Sequence, residues 1–263
     1  MENGIKPLMI TEQYRMHPEI SSFPSKSFYE SKLVNATIVT SRPIPSPLQH
    51  LVDKVPHYAF LDLENSQEDS GGKSYSNINE AKLIVNIVKD MSTTWKIKGF
   101  GEENTRSLIG VITPYRKQVS IIRRMLSNEH LDPFVEVNTV DSYQGREKDV
   151  IIISTVRAGG RSVGFLMDYR RMNVAITRAK YFLWVVGSSN TLMLDHYWKS
   201  FVGNAQARGL IWLIKNEKDT KSLWLDKSTE LNPAKKRKLP EEIITDKKSN
   251  EKLTARSIRA KLF

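Results

Sequence analysis

The side chains best suited to phosphate chemistry in this sequence are arginines set among aromatic and small polar residues. Gln13, Tyr14, Arg15, Met16, His17 and Pro18 stand consecutively, and Phe23, Pro24, Ser25, Phe28 and Tyr29 follow closely. Tyr14 offers a π face on which a base can stack. Arg15 offers a rigid fork of five donors that matches phosphate oxygens in a way a lysine does not. Together they suit a nucleotide. Taken singly, they also fit an ordinary loop aromatic and a surface cation, and His17 beside a proline fits a capping or packing histidine better than a ligand.

Three more segments have the same character. Gly110 to Gln118 runs from an apolar stretch through Thr113 and Pro114 into a helical pattern. That places the Thr113 hydroxyl and free amides at a helix amino terminus, where a phosphate binds; capping would use the same hydroxyl, and both readings stand. Val137 to Asp149 holds Thr139, Asp141, Ser142, Gln144, Gly145 and Glu147 just ahead of a β-branched run. On its own this reads as a hairpin loop with Glu147 paired to Arg146 or Lys148 in water, which contributes little. Asp168 to Lys180 ends in Arg178, Ala179 and Lys180. Residues 171–180 read as a helix whose dipole Arg178 could complement, an effect of about 0.3–1 kcal/mol.

These segments need a frame to hold them. Leu108–Thr113, Val135–Thr139, Val150–Val156 and Tyr181–Gly187 are short apolar, β-branched runs bounded by turns, and so predict buried strands. Tyr115 to Ser127 puts Val119, Ile122, Met125 and Leu126 on one helical face, and Asn77 followed by Glu80 predicts a capping box opening a helix through Met91. Strands alternating with helices predict an α/β fold, a mostly parallel sheet covered on both faces. Residues 41–72, with Pro43, Pro45, Pro47 and Pro56, predict an irregular crossing with one strand near Tyr58 to Leu63.

Composition narrows the partners. The 263 residues carry a formal charge of +11, which favours polyanions. There is no cysteine, so disulfides and thiolate metal sites are excluded and an intracellular setting is the simpler one; no metal site is expected. No apolar run approaches the roughly 18 residues a membrane crossing needs. Residues 215–263 hold 14 Lys and Arg against 8 Asp and Glu, with few apolar residues and no period, and predict a disordered basic tail behind a folded domain of residues 1–214. Within it Lys235, Lys236, Arg237 and Lys238 lie between two prolines, an extended cationic strip suited to an import receptor or a phosphate backbone.

The four segments, in this order, resemble motifs of superfamily 1 helicases of the Upf type, in their C-terminal RecA-like domain (AAA_12 type). Gln13 to Pro18 with Phe23 to Ser25 looks like motif IV. Thr139, Asp141, Gln144, Gly145 and Glu147 look like motif V, and Arg171 to Lys180 like motif VI. The resemblance implies a P-loop NTPase second motor domain using ATP with Mg2+. In it Tyr14, Arg15, Glu147 and Arg178 would hold the nucleotide, Glu147 through the ribose. Arg178 would act as an arginine finger and Arg15 would assist catalysis, while Thr113, Thr139 and Ser142 would approach a single strand of RNA or DNA. Asp168 to Asn173, Ser162 to Leu166 and Ser74 to Asn77 are further similar to senataxin-like helicases. That branch implies 5′ to 3′ unwinding of RNA or RNA:DNA hybrids in transcription termination and R-loop removal, in the nucleus.

No Gly-x-x-x-x-Gly-Lys-Ser/Thr phosphate loop occurs in these residues. Gly72, Lys73 and Ser74 mimic its end, but Gln67 stands where its first glycine belongs and no buried strand precedes it. The expectation is that the metal and phosphate cradle belong to an N-terminal RecA-like domain, and that this polypeptide alone does not hydrolyse ATP. Two other readings stand beside this one: a motor of the nonsense-mediated-decay branch, and a binding or scaffold module without turnover.

Overall fold

The computed structural model describes residues 9, 11–71, 74–160, 162–218, 220 and 223. The basic strip Lys235 to Lys238, most of the expected tail, and Gly72 and Lys73 lie outside them.

Along the chain, β1 (Glu12–Gln13) leads into α1 (Pro18–Phe28), and β2 (Val34–Asn35) returns parallel to β1. A short helix, α2 (Thr37–Ser41), and a 3-10 turn at Ser46–Leu51 break up the proline-rich crossing before β3 (Tyr58–Leu63). Then come α3 (Ile78–Ile97), α4 (Glu102–Thr105), β4 (Ile109–Thr113), α5 (Arg116–Asn128), β5 (Val135–Thr139) and β6 (Lys148–Ser154). The chain continues through α6 (Tyr169–Ile176), β7 (Ala179–Gly187), α7 (Ser189–Leu192), α8 (His196–Ala207) and β8 (Ile211–Ile214).

Six strands form one sheet in the order β5-β4-β6-β7-β3-β8, every pair parallel. A parallel sheet needs a crossover between strands, and the crossovers bury both faces. All six residues of β3 are buried, including Asp62, which is 3% exposed and accepts hydrogen bonds from the Ser189 amide and hydroxyl at 2.8 and 2.7 Å. Side chains alternate along it. Ala59, Leu61 and Leu63 join the core under α3 and α5, while Tyr58 meets Phe201 of α8, which in turn meets Phe23 of α1. The α/β fold with helices on both faces is the one expected.

Local differences from the sequence reading have identifiable causes. The helix expected over residues 171–180 stops at Ile176, and Ala179 and Lys180 already belong to β7. The Thr177 hydroxyl folds back onto the Asn173 and Val174 carbonyls and Arg178 onto Val174, so side chains take the last free carbonyls and the turn ends. The Asn77 side chain does cap α3 through the Glu80 amide, but the reciprocal half of the box is absent. The Asn77 amide goes to Gln118 instead, and the Glu80 carboxyl turns inward to β6. Past Ile214 the chain still packs on the body: the Glu217 carbonyl accepts from Asn86, Thr220 bonds Asp90, and Leu223 is 4% exposed in the core.

Candidate functional site

The Tyr14–His17 turn is held from below. Gln13 is nearly buried, and its side-chain oxygen accepts the Arg15 and Met16 amides while its nitrogen donates to the Met16 carbonyl and to Asn35. Arg42 clamps the other side, donating to the carbonyls of Tyr14 at 2.5 Å and Arg15 at 3.1 Å. The His17 amide donates to the Lys180 carbonyl at the start of β7, and its ring stacks on His57 at 3.5 Å. Burial, with the facing His57, pushes the His17 imidazole down to about 4. His17 also accepts the Glu19 amide at the head of α1, so capping and packing describe it. Tyr14 is left 60% exposed, its hydroxyl donating to Glu12.

What this turn presents is Arg15. Its Nε meets Glu147 Oε2 at 2.5 Å and its Nη1 donates to the Thr177 carbonyl at 3.1 Å. Lys180 lies 3.3 Å from the other Glu147 oxygen and 3.9 Å from Asp149. Partial burial works against the Glu147 charge, but the Arg15 hydrogen bond and the two cations outweigh it and hold the carboxyl below its usual range. Glu147 therefore pairs with Arg15 and Lys180, not with its neighbours Arg146 and Lys148, which both turn to Glu136. Arg178 completes the cluster with its guanidinium docked on two carbonyls and a hydroxyl: Nε to Val174 O at 2.8 Å, Nη1 to Arg146 O at 3.4 Å, and Nη2 to the Thr177 hydroxyl at 3.1 Å. Burial first, then the Arg15 charge, lowers its pKa.

The loop bearing Glu147 is not a hairpin. β5 and β6 are parallel with β4 between them, so residues 140–147 cross over β4 from the end of one strand to the start of the other. Tyr143 is buried on Gly110 of β4, where any Cβ would come within 2.2 Å of its hydroxyl oxygen. This crossing spreads the segment over two places. Glu147 reaches the arginine cluster, while Thr139 and Ser142 remain at the carboxyl end of β5, their hydroxyls 3.0 Å apart and accessible. Asp141 beside them takes a bidentate pair from Arg171 of α6 at 2.9 and 3.1 Å.

Thr113 is placed otherwise. It ends β4 with no solvent exposure, its hydroxyl has no hydrogen-bond partner among the described residues, and Tyr115 occupies the cap position of α5 without a side-chain bond. The hydroxyl neither caps nor faces a ligand in this conformation. The residue of that segment with a structural task is Gln118, fully buried, which bridges Asn77 and Ser154. Sequence reasoning also missed Lys180 and Arg42. Lys180 lies on a strand where the sequence predicts the end of a helix, while Arg42 lies in the proline-rich crossing, where no period indicates direction.

The donor set fits a nucleoside polyphosphate. Arg15, Arg178 and Lys180 face Glu147 and Asp149, leaving one positive charge over, next to an exposed aromatic ring. Among the described residues no group of three metal-ligating side chains occurs, and no helix is long and apolar enough to cross a membrane.

The parallel α/β sheet carries this cluster at the start of β7, and the chain belongs to the family of AAA domains (AAA_12), whose profile matches residues 1–190. Within it the chain is a Upf-type superfamily 1 helicase domain of the senataxin-like kind. It is 36% identical over 207 residues to Helicase sen1 of Schizosaccharomyces pombe, covering 77% of this chain and 12% of that protein. It is 37% identical over 208 residues to the probable helicase senataxin of Homo sapiens, covering 78% and 7%. Over 214 residues it is 35% identical to Regulator of nonsense transcripts 1 of Dictyostelium discoideum, covering 79% and 16%. The chain thus spans under a fifth of the length of these relatives.

Proposed function

We propose that residues 1–214 act as the second motor domain of an ATP-dependent, senataxin-like helicase, moving 5′ to 3′ on RNA or RNA:DNA hybrids in transcription termination and R-loop removal. The observation that supports this best is the convergence of Arg15, Glu147, Arg178 and Lys180 from three distant segments onto one accessible patch. Arg178 is the arginine finger. Its planar fork leaves the main-chain carbonyls that hold it at rest and meets the γ-phosphate when the cleft closes. Arg15 holds phosphate oxygens and Tyr14 lies against the base. Glu147, released by Arg15, accepts from the ribose. ATP with Mg2+ supplies the transferred phosphoryl group and its charge neutralisation, with the metal held by an N-terminal RecA-like domain, the partner across the cleft. A polypeptide of these 263 residues alone does not turn over ATP.

Thr139 and Ser142 contact the sugar-phosphate backbone of the single strand; Thr113 acts there only if the end of β4 opens. Lys235, Lys236, Arg237 and Lys238 serve nuclear import through a receptor that reads extended basic strips. Titration of the chain with labelled single-stranded RNA and DNA of several sequences tests the strand track. The expected affinity falls with salt with a log-log slope of about −0.7 per phosphate contacted and varies little with sequence. The T139A/S142A double variant should weaken every strand alike, by about five- to 150-fold, as expected for two hydrogen bonds of about 0.5–1.5 kcal/mol each. Binding that is sequence-specific and indifferent to salt would contradict this track. The nonsense-mediated-decay branch is a second reading, supported by the 35% identity to Regulator of nonsense transcripts 1.

A further inference from the structure

Next to the proposed backbone contacts, one large apolar side chain is turned outward on a rigid mount. Phe165 is 62% exposed, although its neighbours Val163 and Leu166 are buried at 2% and 7%. The turn carrying it is fixed. Gly164 adopts φ +57°, with the Arg157 guanidinium 2.4 Å from where a Cβ would sit, and the Leu166 carbonyl accepts the buried Trp198 indole at 2.8 Å. An apolar ring held in water by anchored neighbours is the informative kind of exposure.

Its surroundings indicate what it meets. The Tyr115 ring stands edge-on to it, at 6.2 Å between centroids and 72° between planes. The Arg171 guanidinium lies 5.9 Å from its centroid, and the same guanidinium is forked onto Asp141, the residue before Ser142. Exposed Arg116 follows Tyr115 at the start of α5. An aromatic face bordered by arginines, one of them paired with Asp141 next to Ser142, combines a stacking platform with the cations that attract a phosphate chain.

We propose that Phe165 is a stacking post for a nucleobase of the single strand, held in place by Arg171 and Tyr115. The inference rests on the strand track proposed above and adds to it a contact made through the base rather than the backbone. Stacking is tolerant of sequence, since every base has a π face, so the post would fix spacing along the strand without selecting sequence.

The test compares the chain with its F165A and F165L variants on two strands of equal length, oligothymidylate and its abasic counterpart. F165L keeps an apolar side chain without a π face, and because the ring is mostly in solvent both variants should fold, as far-ultraviolet circular dichroism and an unchanged Tm would show. The expected result is a loss of about five- to hundredfold on oligothymidylate for both variants, the range of one base stacked on an aromatic ring, with an unchanged salt slope and no loss on the abasic strand. Equal affinity of wild type and F165A for oligothymidylate overturns the post while leaving the backbone track standing. An equal loss on both strands also overturns it, because the ring would then be supporting a phosphate contact. If the wild type binds neither strand, the track fails and the post fails with it. F165L binding as well as wild type shows an apolar contact and overturns base stacking.

Discussion

Replacing Arg178 with alanine is expected to cut strand-stimulated ATP hydrolysis by about 10³- to 10⁵-fold in a motor completed with a first RecA-like domain, while nucleotide affinity falls far less. The asymmetry follows from when the contact is made. At rest the guanidinium is occupied by the Val174 and Arg146 carbonyls and the Thr177 hydroxyl, so binding nucleotide in an open cleft does not need it. As an arginine finger it would gain only where charge develops on the leaving phosphoryl group, and a contact made only in the transition state changes turnover rather than affinity. R178K should restore little, because a point charge cannot reproduce two parallel N–H donors. Single-turnover hydrolysis with a separate nucleotide titration separates the two quantities. Equal rates for wild type and R178A would mean that the cluster organises the α6–β7 turn and nothing more.

Glu80→Ala is expected to be the most destabilising single change at a position away from the nucleotide cluster, at about 3–5 kcal/mol. This carboxyl is fully buried and accepts from the Ser154 hydroxyl at 2.6 Å and from the Val156 amide at 3.0 and 2.9 Å. Asn77 and Thr155 reach it at 3.4 and 3.5 Å. Thr155 and Asn77 keep other partners, but truncation leaves the Ser154 hydroxyl and the Val156 amide buried without their acceptor, each costing about 1–3 kcal/mol. It also releases Val156, a β-branched residue held at φ +70°, where only surrounding bonds keep it. Burial pushes the Glu80 carboxyl up to about 8, against the pull of its hydrogen bonds. A raised carboxyl pKa favours folding fully below its unfolded value near 4.5, and that contribution declines as pH rises toward 8. E80Q, neutral throughout, should flatten this decline. Denaturant midpoints between pH 5 and 8 for wild type, E80A and E80Q measure both effects, and an E80A midpoint equal to wild type would remove Glu80 from the account.

The frame was legible because buried parallel strands must be apolar on both faces. Runs such as 150–156 and 181–187 announce that without tertiary information, and they fall on β6 and β7. Side-chain destinations were less legible. Asn77 and Glu80 have the spacing of a capping box, yet Glu80 serves β6, since a carboxyl at the head of α3 lies as near the next strand as its own cap. Thr113 was read from local order alone, which cannot say that the crossing of residues 140–147 covers β4. Arg15, Glu147 and Arg178 were named from motif resemblance, but their meeting depends on the turn after β1 being brought to the start of β7, a long-range fact. Lys180 and Arg42 belong to the same neighbourhood and had no motif to mark them.

The most direct measurement of the central claim is ATP hydrolysis by this polypeptide alone and joined to the first RecA-like domain of a senataxin-like relative, each with and without single-stranded RNA. The isolated chain is expected to show no turnover, and the joined protein strand-stimulated turnover. Hydrolysis by the isolated chain would show that the phosphate cradle lies within it, and a folded, joined protein that binds strand but never turns over would leave the binding module in place of the motor.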